Sequence, residues 1–118
     1  MVPHMAYVIN QDDWADMPGR WHGEWQGRAA GADISVIFFA SDTIGAGPGL
    51  HRHPYPETFI VRQGRALFTL GAETIQAEPG QILVVPAGTP HKFENLGPGM
   101  LETTDIHANE VFVTEWLE

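Results

Sequence analysis

Residues 45–64 read GAGPGLHRHPYPETFIVRQG, and residues 80–95 read GQILVVPAGTPHKFEN. The first segment holds His51, His53 and Glu57, and the second holds His91. Both are built from short β-branched or aromatic runs punctuated by Gly and Pro, the pattern of strands joined by tight turns. Thr58 to Arg62 reads as a strand and Gln63-Gly64 as its turn. Arg65 to Leu70 returns, with Ala66, Phe68 and Leu70 on one face. After Gly71 to Glu73, Thr74 to Ala77 is a short strand, and Glu78-Pro79-Gly80 turns again. Ile82 to Val85 reads as a buried strand, and Pro86 to Pro90 as a rigid loop that delivers His91 at the start of a strand running to Asn95.

The same punctuation extends outward. Residues 34–40 (Ile-Ser-Val-Ile-Phe-Phe-Ala) are apolar on both parities, which predicts a strand covered on both faces. Residues 42–50 form a Gly/Pro-rich loop. Gly97-Pro98-Gly99 turns the chain into a strand over 101–107, and residues 111–117 read as a last strand. Residues 1–31 are harder to read. Residues 6–10 suggest a short edge strand, 12–20 a loop or one helical turn, 21–28 a strand and 29–32 a turn. Trp14, Trp21 and Trp25 fit packing on the outside of the fold better than stacking on a ligand. Eight to ten strands with no useful helical period give an all-β chain, a barrel or double-sheet jelly roll. The expected organisation is one domain, with residues 1–31 as an arm or edge strands on a barrel of residues 32–118.

The totals agree. The chain has 118 residues, 43% of them apolar, with 13 Gly and 9 Pro, enough for one core and too turn-rich for a helical bundle. The absence of Cys excludes disulfides, thiolate ligands and thiol nucleophiles. A net charge of −9 disfavours nucleic acid and anionic membranes as partners. No apolar run approaches the ~20 residues of a membrane span. Residues 1–10 lack the features of a signal peptide, Met5 is a possible alternative start, and a cytoplasmic location is expected.

The chemistry lies in the histidines. In extended chain His51 and His53 face the same side, with Arg52 turned away. Full extension would put Glu57 roughly 13 Å from His53, at about 3.3 Å per residue. Pro54 and Pro56 lack N–H groups and break the ladder, so the chain can bend Glu57 back toward the histidines. Three imidazoles and one carboxylate form a donor set for a single divalent transition metal (Fe, Mn, Ni, Cu, Co or Zn) and are too rich in nitrogen for Ca or Mg. An octahedral ion would keep two positions open.

Gly45, five residues, His51-x-His53, three residues, Glu57, six residues, Gly64 resembles the first motif of the cupin family. Gly80, five residues, Pro86-x-Gly88, two residues, His91, three residues, Asn95 resembles the second. The resemblance implies a small single-domain cupin with a conical jelly-roll barrel and a metal held by His51, His53, Glu57 and His91. It also implies turn roles for Gly64 and Gly80 and a structural role for Asn95. Small cupins are often homodimers, and the N-terminal Trp segment or the strand over 111–117 is a candidate to pair across a two-fold.

Parity sketches the pocket. Phe59 and Val61 should face inward with Glu57, and Phe93 with His91, whereas Arg62 and Arg65 should point out. An apolar pocket without a cationic clamp suits a small neutral, aromatic or carboxylate compound and disfavours phosphorylated sugars. Tyr55 and His107 are weak catalytic candidates, Tyr55 as a donor at the pocket mouth and His107 as a base, although a satisfied or solvent-facing His107 is the simpler expectation. His4 and His22 have no claim as ligands. The resemblance favours a metal-dependent enzyme of dioxygenase, isomerase or decarboxylase type. Thiol dioxygenation fits poorly with Glu57 and the absence of Cys. The alternatives are a non-catalytic binding or sensing module and a structural barrel stapled by its metal.

Overall fold

Turn chemistry and alternating burial shape this chain into two facing antiparallel sheets. The computed structural model describes residues 6–118, so His4 and the question of Met5 lie outside the described residues. A four-residue helix α1 (Gln11–Trp14) precedes ten strands among the described residues. These are β1 (Gly23–Gln26), β2 (Ser35–Ser41), β3 (His51–Arg52), β4 (Glu57–Gln63), β5 (Ala66–Leu70), β6 (Glu73–Ala77), β7 (Ile82–Val85), β8 (His91–Asn95), β9 (Leu101–His107) and β10 (Glu115–Trp116). One sheet has the order β1-β2-β9-β4-β7 and the other β10-β3-β8-β5-β6. The fold is an all-β jelly roll. No helix among the described residues is long and apolar enough to cross a membrane.

Parity holds where it matters. Along β4, Glu57, Phe59 and Val61 are buried; along β8, His91, Phe93 and Asn95 are buried. Both strands therefore run from a polar end, through an aromatic middle, to a packed far end. There Phe59, Val61, Val85 and Leu101 of one sheet meet Ala66, Phe68, Ala77 and Phe93 of the other. The Phe rings cross-pack, with centroids 4.9 Å apart for Phe59–Phe68 and 5.3 Å for Phe68–Phe93. This plug closes one end of the barrel and leaves the other end for the site.

The two-sided apolarity of β2 has a plain cause. Ile37 and Phe39 line the interior cavity, while Phe38 faces out and is covered. Trp14 stacks on Phe38 at 3.7 Å and Trp21 meets it edge-on at 5.1 Å. Arg62 projects outward and lays its guanidinium 3.8 Å from the Trp21 ring centroid, a cation–π contact. Arg65 also stays away from the cavity and donates twice to the Gly97 carbonyl. β1 is hydrogen-bonded to β2 throughout, from Gly23↔Phe38 to Gln26↔Ser35, so residues 23–26 belong to the sheet itself.

Four expectations are corrected. Residues 6–10 form no strand and are exposed. Residues 27–30 form a 3-10 turn instead of continuing the strand, and its Arg28 pairs with Glu110 at 2.8 Å. β7 is an edge strand, not a buried one. Among the described residues it pairs only with β4, and Ile82 and Val84 are 64% and 58% exposed. The final strand shrinks from residues 111–117 to Glu115–Trp116 because the preceding main chain is committed elsewhere. Val113 O and N serve His53 and Tyr55, and Phe112 N–H donates to Gln26.

Candidate metal centre

The Pro54-Tyr55-Pro56 bend carries the chain from one sheet to the other. His51 lies on β3 opposite His91 on β8, whereas Glu57 starts β4 opposite His107 on β9. The carboxylate therefore reaches the histidines from the facing sheet, which is how a residue four positions beyond His53 comes within 3.0 Å of its Nε2. Glu57 Oε1 is also 3.0 Å from His91 Nε2. One donor atom from each of His51, His53, Glu57 and His91 lies within 4.8 Å of all the others, and all four residues are buried. Asn95 braces the far end of β8. Its amide donates to the Ser41 and Gly99 carbonyls, and its oxygen accepts from Gly97 N–H.

Hydrogen bonds behind the rings decide which nitrogen faces inward. His51 Nδ1 is 2.7 Å from the Gly49 carbonyl, His53 Nδ1 2.8 Å from that of Val113, and His91 Nδ1 2.9 Å from that of Thr89. A carbonyl only accepts, so each Nδ1 carries a proton, and in the neutral ring the Nε2 is left with its lone pair. Three lone pairs and a carboxylate around one point repel one another unless a cation or proton lies between them. His53 Nε2 lies within ion-pair range of Glu57 but off the line of a hydrogen bond. Donor separations of 3.0 Å match two ligand bonds of about 2.1 Å at right angles. The donor set fits a divalent transition metal on this geometry, and the outer carbonyls supply the orientation such ligands need.

His107 has the opposite polarity. Val113 N–H donates to the Tyr55 hydroxyl oxygen at 3.1 Å, and that hydroxyl lies 2.7 Å from His107 Nδ1. Among the described residues the hydroxyl has no acceptor other than Nδ1, and the Glu57 carboxylate stands 3.0 Å from Nε2, so the hydroxyl gives its proton to Nδ1 and the His107 proton sits on Nε2. In that tautomer His107 is a donor toward the cavity, not a fourth imidazole ligand. Its Nε2 is 3.0 Å from Glu57 Oε2, again off the hydrogen-bond line, and the ring is buried. Tyr55 is itself buried and stands behind His107, away from the pocket mouth. His22 is remote from the site, pairing with Asp16 at 2.7 Å.

Electrostatics favour the ligating forms. Burial alone would raise the Glu57 carboxyl, but the close approach of His107, His53 and His91 outweighs it and holds the group below the usual carboxylate range. Burial pushes His51 down, toward the neutral form that binds a metal.

The cluster opens on a cavity of about 330 Å³, large enough for a small organic molecule. Ile37, Phe39, Phe59 and Phe93 supply its apolar wall, with Trp116 and Thr114 also on the lining, and no Lys or Arg among the described residues lines it. Val61 faces inward but sits in the packed core beyond the cavity wall, which corrects its expected place in the lining. Asp105 is a lining residue that the motifs do not mark. It is 3% exposed and points into the cavity from β9, two residues before His107. Its shared parity with His107 is the one sequence signal for it.

Comparison with known proteins settles the family. The sequence profile described as "Cupin domain" matches residues 40–107, more than half of the chain. The chain belongs to the cupin family. This cupin is 38% identical over 64 residues to an uncharacterized protein of Streptomyces coelicolor, a match spanning 54% of the chain and 60% of that protein. It is 36% identical over 55 residues to an uncharacterized protein of Methanocaldococcus jannaschii, spanning 46% and 44%. The chain thus matches only about half the length of these curated relatives.

Solved structures share the cupin fold. An uncharacterized conserved protein with a double-stranded β-helix domain from Klebsiella pneumoniae superposes with a TM-score of 0.74 at 18% identity, over 96% of this chain and 98% of that one. The Lactobacillus farciminis oxalate decarboxylase, in complex with formate, superposes with a TM-score of 0.78 at 19% identity, over 92% and 35%. A Bacillus subtilis oxalate decarboxylase mutant gives 0.68 at 24% identity, over 75% and 25%.

Proposed function

We propose that this cupin holds one divalent transition-metal ion at His51, His53, Glu57 and His91. We propose further that it acts as a metal-dependent enzyme on a small carbonyl or carboxylate compound, by proton transfer and not by oxygen insertion. The observation that carries this reading is a pairing across one cavity: three Nε2 lone pairs with Glu57 on one side, and the Nε2–H of His107 beside them. When bound, the ion supplies Lewis acidity toward an oxygen of the ligand. The apolar walls exclude water, and the lack of a cationic clamp keeps phosphorylated compounds out of the expected substrate class.

His107 is the proton donor in this reading, and Tyr55 is a positioning residue that fixes its tautomer. In a decarboxylation the C–C bond to the departing carboxylate breaks and its electron pair stays on carbon. The His107 Nε2 proton then completes the new C–H bond, and solvent restores the proton. Isomerisation uses the same donor with a proton removed elsewhere on the substrate. The oxalate decarboxylases that share the fold support the reaction class; their low identity does not carry a substrate.

The test is CO₂ release and isomerisation by metal-loaded protein, assayed on oxalate and small β-keto acids. His107→Gln is expected to lower kcat by about 10²- to 10⁴-fold, the usual worth of a positioned acid or base, with metal content unchanged. Equal kcat in the variant would remove His107 from the mechanism. Tight binding of these compounds without turnover would identify a binding module instead.

We infer a homodimer from the exposed edge strand. Ile82 and Val84 place two large apolar side chains on the outer face of β7, beside an unpaired strand edge. Two of the Trp residues expected at an interface, Trp14 and Trp21, are used within the chain, where they pack on Phe38. Light scattering at micromolar concentration is expected to give twice the 13.0 kDa chain mass, and Val84→Glu to give the monomer. A monomeric wild type would rule the dimer out. We read residues 1–31 as an arm or edge strands packing on a barrel of residues 32–118, the whole being one domain.

A further inference from the structure

Strand β9 presents Thr103, Asp105 and His107 to the interior in succession, and all three are buried. His107 is held by Tyr55 and faces the Glu57 carboxylate. Asp105 is not. Its residue is 3% exposed, it lines the cavity, and its Oδ1 has no hydrogen-bond partner among the described residues. Thr103 lies near enough to influence the carboxyl, yet its Oγ1, like Asp105 Oδ1, has no hydrogen-bond partner among the described residues. Leaving a buried polar group unmatched costs about 1–3 kcal/mol, so a barrel selected for stability alone would carry an apolar residue here. The neighbouring cavity wall is Phe59, the residue opposite Asp105 in the ladder.

We propose that Asp105 is the second anchor of the cavity, donating a hydrogen bond from its carboxyl to a neutral acceptor oxygen of a ligand whose other end is held at the His51, His53, Glu57 and His91 cluster. This deepens the metal-site reading and rests on it. Burial raises the Asp105 carboxyl well above its ordinary value, which favours the protonated form that donates. Two inward positions on one strand are about 7 Å apart, since Glu57 and Phe59 on β4 face His107 and Asp105 in turn. The pocket therefore selects compact bifunctional molecules: a metal-chelating oxygen pair at one end and a ketone, ester or amide oxygen about that distance away.

The test uses Co(II)-loaded protein, whose visible absorption reports ligands at the ion, with catechol and 3,4-dihydroxyacetophenone as probes. These share a chelating end and differ in the distal carbonyl. Measuring both affinities in wild type and variants cancels the difference in intrinsic chelation. Relative to Asp105→Leu, wild type is expected to favour the acetyl compound by about 5- to 10-fold, the worth of one net hydrogen bond. Asp105→Asn keeps an N–H donor and is expected to retain most of that preference. Asp105→Leu is also expected to raise Tm at neutral pH, because it removes a group that would ionise on unfolding. An identical affinity ratio in wild type and Asp105→Leu, or a Co(II) spectrum that responds to neither probe, overturns the proposal and leaves the metal site standing. Failure of wild type to take up Co(II) overturns the metal-site reading itself.

Discussion

His91→Ala is expected to weaken metal binding by at least about 100-fold, beyond the 10- to 100-fold typical of outer hydrogen-bond partners, while the β-rich circular dichroism persists. The imidazole Nε2 lies 3.0 Å from Glu57 Oε1, and its Nδ1 is already committed to the Thr89 carbonyl. Neither His107 nor Tyr55 is placed to substitute, because the His107 Nε2 carries a proton. His53→Ala is expected to behave the same way, with the added loss of the Val113 contact that holds residues 111–114 over the site. Equilibrium dialysis against Mn(II), Co(II) or Zn(II), followed by elemental analysis, reads the effect. Full retention of metal by both variants would mean that the cluster is not the binding site.

Gly64→Ala is expected to destabilise the fold by about 2–5 kcal/mol. Two terms add. Gly64 sits at φ +82°, where a non-Gly residue costs about 1–2 kcal/mol. Its added Cβ would also collide with the Met100 carbonyl and the Leu101 Cα, which are backbone atoms, and overpacking of this kind costs about 1–3 kcal/mol. For a domain of this size the sum corresponds to a fall in Tm of about 10–20 °C. Gly71→Ala separates the terms. Gly71 is also left-handed, at φ +58°, but an added Cβ there would meet nothing within 4 Å, so only the conformational cost applies. Equal losses in the two variants would show that the Met100 contact contributes nothing.

These two positions also show how the site is legible in the sequence. The spacing from Gly45 to Gly64 specifies a bend, a sheet change and a return turn, and each has a local chemical cause. Pro54 and Pro56 break the ladder, and Gly64 accepts a backbone approach no other residue tolerates. The bounds of β8 and β9 follow from the Gly/Pro turns that flank them, and once Glu57 faces inward the inward face of Phe59 and Val61 follows from alternation. Alternation fails where a strand's neighbours are unknown. Ile82 to Val85 is apolar enough to read as buried, yet β7 has no second partner among the described residues, and two of its side chains meet solvent.

Residues 111–114 fail for another reason. Their side chains suit a strand, but their main-chain groups serve His53, Tyr55 and Gln26 instead of a ladder. Tyr55 sits beside the ligands in sequence, which suggests the pocket mouth; its true position behind His107 depends on a strand about 50 residues away. Asp105 is hard to single out because an acid in an amphipathic strand ordinarily faces water. Only its parity with His107, and so the inward face of β9, marks it as different.

We propose that His51, His53, Glu57 and His91 hold one metal ion. The direct measurement is elemental mass spectrometry on protein purified without chelator or metal-affinity resin, paired with His91→Ala prepared in the same way. About one transition-metal ion per chain in the wild type, and almost none in the variant, is the predicted result. Metal-free wild type that takes up no Mn, Fe, Co, Ni, Cu or Zn on titration would contradict the claim, and with it the enzyme reading built on the site.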